Sequence, residues 1–217
     1  MGIDTPLTWS VVIPVKVLAQ AKSRLSDLAD ADREAMALAM AADTVSAAVA
    51  CPAVACVVVV SDDPAVRREA EAAGAEVIAD LPGAGLNQAL AAGAEHAAVS
   101  GPGRGLAALI ADLPALSARE LEAALTAASA VTEAFVADAD GSGTTLYTAK
   151  PGAEFRPRFG PQSRLRHRQA GVVELDLPGA PGLKRDVDTL ADLRKAEQLG
   201  LGARTLSVVE SISSALP

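Results

Sequence analysis

The sequence predicts an α/β domain with a mainly parallel central sheet and helices on both faces. β-rich runs and helical patterns alternate at least four times along the 217 residues. The runs VACVVVVS (54–61) and GLAALIAD (105–112) are apolar without a polar alternation, as expected of strands buried on both faces. Half of the residues are hydrophobic but only 2% are aromatic, so Ala, Val and Leu must build the core. Such side chains suit close packing of helices on a sheet.

The elements follow in order. WSVVIPV (9–15) reads as a strand, and 31–50 is an Ala-rich helix with Asp30 or Asp32 available to cap it. After strand 54–61, Asp63 can cap a helix that has Pro64 at its first position and Gly74 at its end. AEVIA (75–79) is a short strand, 86–98 a helix and 105–112 a strand. Ser117 and Glu120 have the spacing of a capping box for the helix that follows. EAFVAD (133–138) and TTLYTA (144–149) are strands around the turn ADGSG, and Thr189 can cap a helix that stops at Gly200. Residues 150–185, rich in Pro, Gly and Arg, read as an irregular insertion over the sheet, and 203–217 as a tail on a single domain spanning 1–217.

Composition removes several classes of function. A net charge of −8 argues against nucleic-acid binding, which draws its affinity mainly from Lys and Arg. No apolar run reaches the ~18 residues of a membrane span. MGIDTPLTWS lacks the pattern of a secretory signal. Cys51 and Cys56 match no zinc spacing and read as reduced thiols. A soluble cytoplasmic protein is the expectation.

In open α/β sheets ligands bind beyond the carboxyl ends of the strands. There the first strand is followed by Lys16, Lys22 and Arg24, three cations that suit a polyphosphate, although a solvated edge would look the same. No phosphate-loop or dinucleotide fingerprint is present, and GPGRG (101–105) precedes a strand, as a plain turn would. Asp112 ends a run too apolar to hold a charge, so it must emerge at the strand end, either as a turn residue or as a metal-binding carboxylate. In FRPRFGPQSRLRHR (155–168), Gly160 and Ser163 can serve an anion through a backbone N–H and a hydroxyl, and Gly143 and Thr144 offer the same chemistry. His167 fits packing or catalysis equally. Asp186 and Asp188 in KRDVDT stand one residue apart and can face one point if the backbone is extended. With Asp112 they would form an oxygen-donor set for one or two Mg²⁺ ions. A glycosyltransferase using DVD as its metal motif remains an alternative.

The motifs IPVK…AKSRL, SDD, GLNQAL, ADLPAL, GSGTT, RFGPQS…RH and DVDT occur in this order over residues 9–200. Together they resemble the 2-phospho-L-lactate/phosphoenolpyruvate guanylyltransferases of coenzyme F420 biosynthesis. The resemblance implies a nucleotidyltransferase fold of the glycosyltransferase-A, Rossmann-like kind. It implies magnesium-dependent transfer of GMP from GTP to phosphoenolpyruvate, or to 2-phospho-L-lactate, with release of pyrophosphate. Carried over by position, Asp112, Asp186 and Asp188 correspond to catalytic metal ligands, and Thr144, Gly160 and Ser163 to contacts with the phospho-acid. Lys16, Lys22 and Arg24 correspond to the triphosphate cradle, and Asn87 to a nucleotide contact. The Gly-rich LAAG loop of sugar and molybdopterin nucleotidyltransferases is replaced by IPVK.

Overall fold

A computed structural model describes residues 7–16, 18, 29–80, 83 and 85–215. Among them, one mixed sheet contains β1 (Trp9–Pro14), β2 (Val54–Val60), β3 (Glu76–Ile78), β4 (Gly105–Leu109), β5 (Glu133–Ala137), β6 (Thr144–Ala149) and β7 (Val173–Glu174). The strand order is β3-β2-β1-β4-β6-β5-β7. Pairings β1–β2, β1–β4, β2–β3 and β5–β7 are parallel, whereas β6 runs antiparallel to both neighbours. The turn after β5 sends β6 back into the sheet, between β5 and β4. Strand order reverses at β1, so the crevice for a ligand opens beyond the carboxyl ends of β1 and β4.

The sheet is buried on both faces because successive side chains of one strand serve opposite layers. Val11 and Ile13 of β1 pack into a cluster with Ala37, Ala41 and Val45 of α1 (Asp30–Val49), Val66 and Ala70 of α2 (Pro64–Ala73), and Leu121 and Leu125 of α4 (Ala118–Ala128). Val12 between them joins Ala89, Leu90 and Ala94 of α3 (Leu86–Ser100), together with Phe135 and Tyr147, on the other face. The approach of α3 is close enough to require Gly93. A Cβ there would stand 2.3 Å from Val12 Cγ1 and 3.0 Å from Val60 Cγ2, both on buried strands.

The helix caps follow the chemistry of the sequence with one exception. Asp63 accepts from Ala65 and Val66 N–H. The capping boxes Ser117–Glu120 and Thr189–Asp192 open α4 and α7 (Leu190–Leu199). Helix α1 instead starts behind Ala29 with no side-chain cap. It begins at Asp30, which puts that carboxylate in the first turn, where it pairs with Arg33 at 2.6 Å and favours the positive end of the helix.

Residues 150–185 carry more regular structure than their composition suggests. They hold α5 (Ser163–Gln169), the edge strand β7 and α6 (Pro181–Lys184). The end of the chain is α8 (Ala203–Ala215), packed on α1 through Val208, Val209 and Ile212 against Met36 and Met40. Its first N–H groups find their acceptor on another helix: Asp43 of α1 accepts from Arg204 N–H at 3.1 Å and Thr205 N–H at 2.7 Å. Among the described residues no helix is long and apolar enough to cross a membrane.

Replacing Gly93 by Ala adds a methyl group that the strands cannot accommodate without moving. Overpacking costs about 1–3 kcal/mol against at most about 1 kcal/mol gained from helix propensity. The expected result is a Tm lowered by about 2–4 °C, measured by thermal denaturation.

Candidate active site

Two chain segments meet beyond the carboxyl end of β4. The strand ends at Leu109, and Asp112 follows after Ile110 and Ala111. Its backbone is flanked by the buried Thr44 hydroxyl of α1, which accepts from Leu113 N–H at 3.2 Å and shares its own proton between Met40 O at 2.9 Å and Ala111 O at 3.1 Å. The Asp112 carbonyl accepts the Val187 N–H at 3.1 Å. Val187 is fully buried against Met36, Met40 and Leu193, which leaves its neighbours Asp186 and Asp188 on the opposite side of the backbone. Thr189 then caps α7, so the DVD tripeptide is anchored at both its middle and its end.

These three aspartates line one cleft of about 640 Å³ together with Lys16, Asp138, Gly143, Thr144, Gly160 and Ser163. The cleft unites nearly all of the candidates from the sequence. Lys22 and Arg24 lie outside the described residues. Asn87 is put to another use: its amide donates to Phe159 O at 3.0 Å and accepts Phe159 N–H at 2.9 Å. That two-point grip holds the segment leading to Gly160.

Asp138 is a site residue the sequence reading passed over. It accepts Ser142 N–H at 2.9 Å and Gly143 N–H at 2.7 Å, so one carboxylate shapes the loop that presents Thr144. Gly143 permits this approach, since a Cβ would stand 2.3 Å from Asp138 Oδ2. The signal was available: Asp138 ends the apolar run EAFVAD much as Asp112 ends its own. Lys184 and Arg185 also belong to the framework. The Lys184 carbonyl accepts Ala139 N–H at 2.8 Å, and Arg185 reaches Asp140 at 3.5 Å and Asp192 at 3.9 Å. A second cavity of about 470 Å³ lies on the far side of the Asp138 loop. Two of its lining cations, Arg164 and Arg168, are paired to Glu174.

Burial pushes the Asp186 carboxyl up to about 7, aided by the charges of Asp112, Asp138 and Asp188. Crowded aspartates with oxygen-only donors match a hard divalent cation such as Mg²⁺. Among the described residues no three His, Cys, Asp or Glu side chains already stand as a metal-holding group. The fit therefore rests on donor chemistry and charge.

His167 is fully buried and stacks on Phe135 and Tyr147 with ring centroids 5.1 and 5.3 Å away. Its Nε2 lies 2.9 Å from the Arg158 N–H and Nδ1 lies 3.1 Å from Thr144 Oγ1. Burial lowers its pKa from 6.5 to about 4; a hydrogen bond to the Ser163 backbone opposes the shift, and the charges of Arg158 and Arg166 add to it. The unfolded chain therefore binds this proton more readily. Stability from a neutral His167 is full above about pH 6.5 and is lost as the pH falls toward 4. Asp186, shifted upward, gains stability as the pH falls below 7 and masks the loss. The stability difference between wild type and His167→Gln, from urea unfolding in chelator, should shrink by about 2 kcal/mol between pH 7.5 and pH 5.

The family model described as "Guanylyl transferase CofC like" matches residues 9–175. A phosphoenolpyruvate guanylyltransferase of Thermomonospora curvata is 52% identical over 214 residues, covering 99% of this chain and 94% of that protein. The protein of the same name from Streptomyces coelicolor is 54% identical over 203 residues, covering 93% and 96%. Among solved structures, a putative nucleotide-diphospho-sugar transferase from Desulfovibrio desulfuricans superposes with a TM-score of 0.59 at 14% identity, covering 88% of this chain and 96% of that one. A CMP:2-keto-3-deoxy-manno-octonic acid synthetase complexed with CTP gives 0.55 at 17% identity, covering 88% and 98%. A Mycobacterium tuberculosis protein in complex with manganese gives 0.53 at 18% identity, covering 89% and 99%. These structural likenesses show the fold.

Proposed function

Because this chain belongs to the CofC-like guanylyl transferase family, we propose that it transfers GMP from GTP to phosphoenolpyruvate in the cytoplasm, releasing pyrophosphate. The product is enolpyruvyl-diphospho-guanosine, a precursor of coenzyme F420 in the resemblance drawn from the motifs. The observation that carries this reading is one cleft in which Asp112, Asp186 and Asp188 face the two polar loops at Thr144 and at Gly160–Ser163.

In the reaction, a phosphate oxygen of the acceptor bonds to the α-phosphorus of GTP while the bond to the bridging oxygen of the β-phosphate breaks. The nucleophile is already ionised near neutral pH, so no strong general base is required. This agrees with a cleft whose nearest histidine has both ring nitrogens engaged in hydrogen bonds. Asp112, Asp186 and Asp188 would hold Mg²⁺, which supplies charge neutralisation for the two anionic substrates and the leaving group. Thr144, Ser163 and the backbone at Gly160 orient the phospho-acid, and Lys16 attracts the triphosphate. Holding both reactants in line is itself a large part of the rate.

The test is pyrophosphate release by purified protein with Mg²⁺, pairing GTP or ATP with phosphoenolpyruvate or 2-phospholactate. Release is expected with GTP and phosphoenolpyruvate; none with either phospho-acid overturns the proposal. Asp188→Asn should cut turnover about a hundredfold or more while circular dichroism stays native, and wild-type activity would remove Asp188 from the metal set. Ser163→Ala should raise KM for phosphoenolpyruvate about tenfold and change KM for GTP less, with the reverse ranking exchanging the two subsites.

A further inference from the structure

The buried imidazole has a directional consequence for the cleft. A neutral ring carries one N–H. Since Nε2 faces the Arg158 N–H, it can only accept, and the ring proton must sit on Nδ1, where Thr144 Oγ1 and the Ser163 backbone are its partners. A hydroxyl that accepts this bond keeps its own O–H to donate, and Thr144 lines the cleft. We propose that His167 is a positioning residue whose Nδ1–H fixes the Thr144 hydroxyl as a hydrogen-bond donor to the anionic acceptor. The same ring holds the second polar loop at the matching place through Arg158, next to Phe159, which Asn87 and Arg166 also grip. A protonated ring would set Nε2–H against the Arg158 N–H, and the charges facing it are the cations of Arg158 and Arg166. The stacked aromatic rings prevent the imidazole from turning aside. His167 thus acts on the substrate through Thr144 without touching it. The kinetic part of the proposal rests on Thr144 being a contact to the phospho-acid.

Two side-chain amides separate the functions of the two ring nitrogens. Gln places a polar atom near the position of Nε2, and Asn near that of Nδ1. His167→Gln keeps an acceptor for Arg158 but loses the donor to Thr144. It should raise KM for phosphoenolpyruvate about tenfold and leave KM for GTP within about twofold. His167→Asn, which keeps a donor to Thr144 but frees the Arg158 N–H, should raise KM for phosphoenolpyruvate less than His167→Gln does. In a Thr144→Val background, His167→Gln should add nothing further to that KM. Equal effects of the two amides, an equal rise in KM for GTP, or additivity with Thr144→Val would overturn the role.

A second readout needs neither substrate nor a variant at this position. The chain has only two histidines, so long-range ¹H–¹⁵N spectra assign both rings, with His96→Gln identifying the surface one. The expected spectrum shows His167 as the Nδ1–H tautomer throughout pH 7.5–6. An Nε2–H tautomer would sink the inference even if phosphoenolpyruvate is the acceptor. Conversely, lack of turnover by wild type would sink the proposed reaction and leave the tautomer to be decided by this spectrum.

Discussion

The hydrogen bond from Val187 N–H to the Asp112 carbonyl joins parts of the chain that the topology would otherwise leave independent. On one side stands the exit from β4, held by Thr44. On the other stands an extended tripeptide whose central side chain is sunk among Met36, Met40 and Leu193. The bond fixes how far apart three carboxylates stand and which way two of them face. Burial, and after it the neighbouring carboxylates, raise the affinity of Asp186 for a proton, so its charged form is disfavoured here. That unfavourable electrostatic energy is borne by the surrounding packing. Such a site is predisposed to a cation before any substrate arrives.

The opposite wall is organised by polar groups that hold its backbone. Asp138 closes the loop before Thr144, Asn87 grips Phe159, and His167 spans the two loops. Each engages backbone N–H groups, which constrains the chain more tightly than contacts between mobile side chains would. Arg185 and Glu120 extend this scheme outward: the first pairs with Asp140 and Asp192, the second accepts Gly182 N–H at 2.7 Å beside α6. The short pieces of 150–185 are therefore secured to the surrounding helices and loops by named bonds.

Much of this was legible in the sequence where the determining physics is local. Continuous β-branched runs marked the buried strands, and Asp63, Ser117–Glu120 and Thr189 marked helix starts because a cap is decided within three residues. Asp112 was legible because a charge after seven apolar residues must leave the core. Features decided over long separations were not. The insertion of β6 between β4 and β5 depends on sheet assembly, and the grip of Asn87 on Phe159 spans 72 residues. Residues 203–217 read as a tail, either a docking element or a frayed end, because what they dock on is far away in the chain. Their acceptor, Asp43, lies 161 positions away from Arg204. Asp138, at the end of the strand EAFVAD, was not singled out, although it follows an apolar run as Asp112 does.

The docking of α8 on α1 bears on how the molecule is made. Met36 and Met40, the floor beneath Val187, stay uncovered on one side until residues 203–215 have emerged from the ribosome and coiled against them. The sheet can assemble earlier from segments already synthesised, but the Asp186–Asp188 side of the cleft gains its full support only afterwards. A nascent chain would thus pass through a stage with a formed sheet, an exposed methionine-bearing face and an incomplete cation site. Support for that side of the cleft thus depends on two helices far apart in the chain closing on each other.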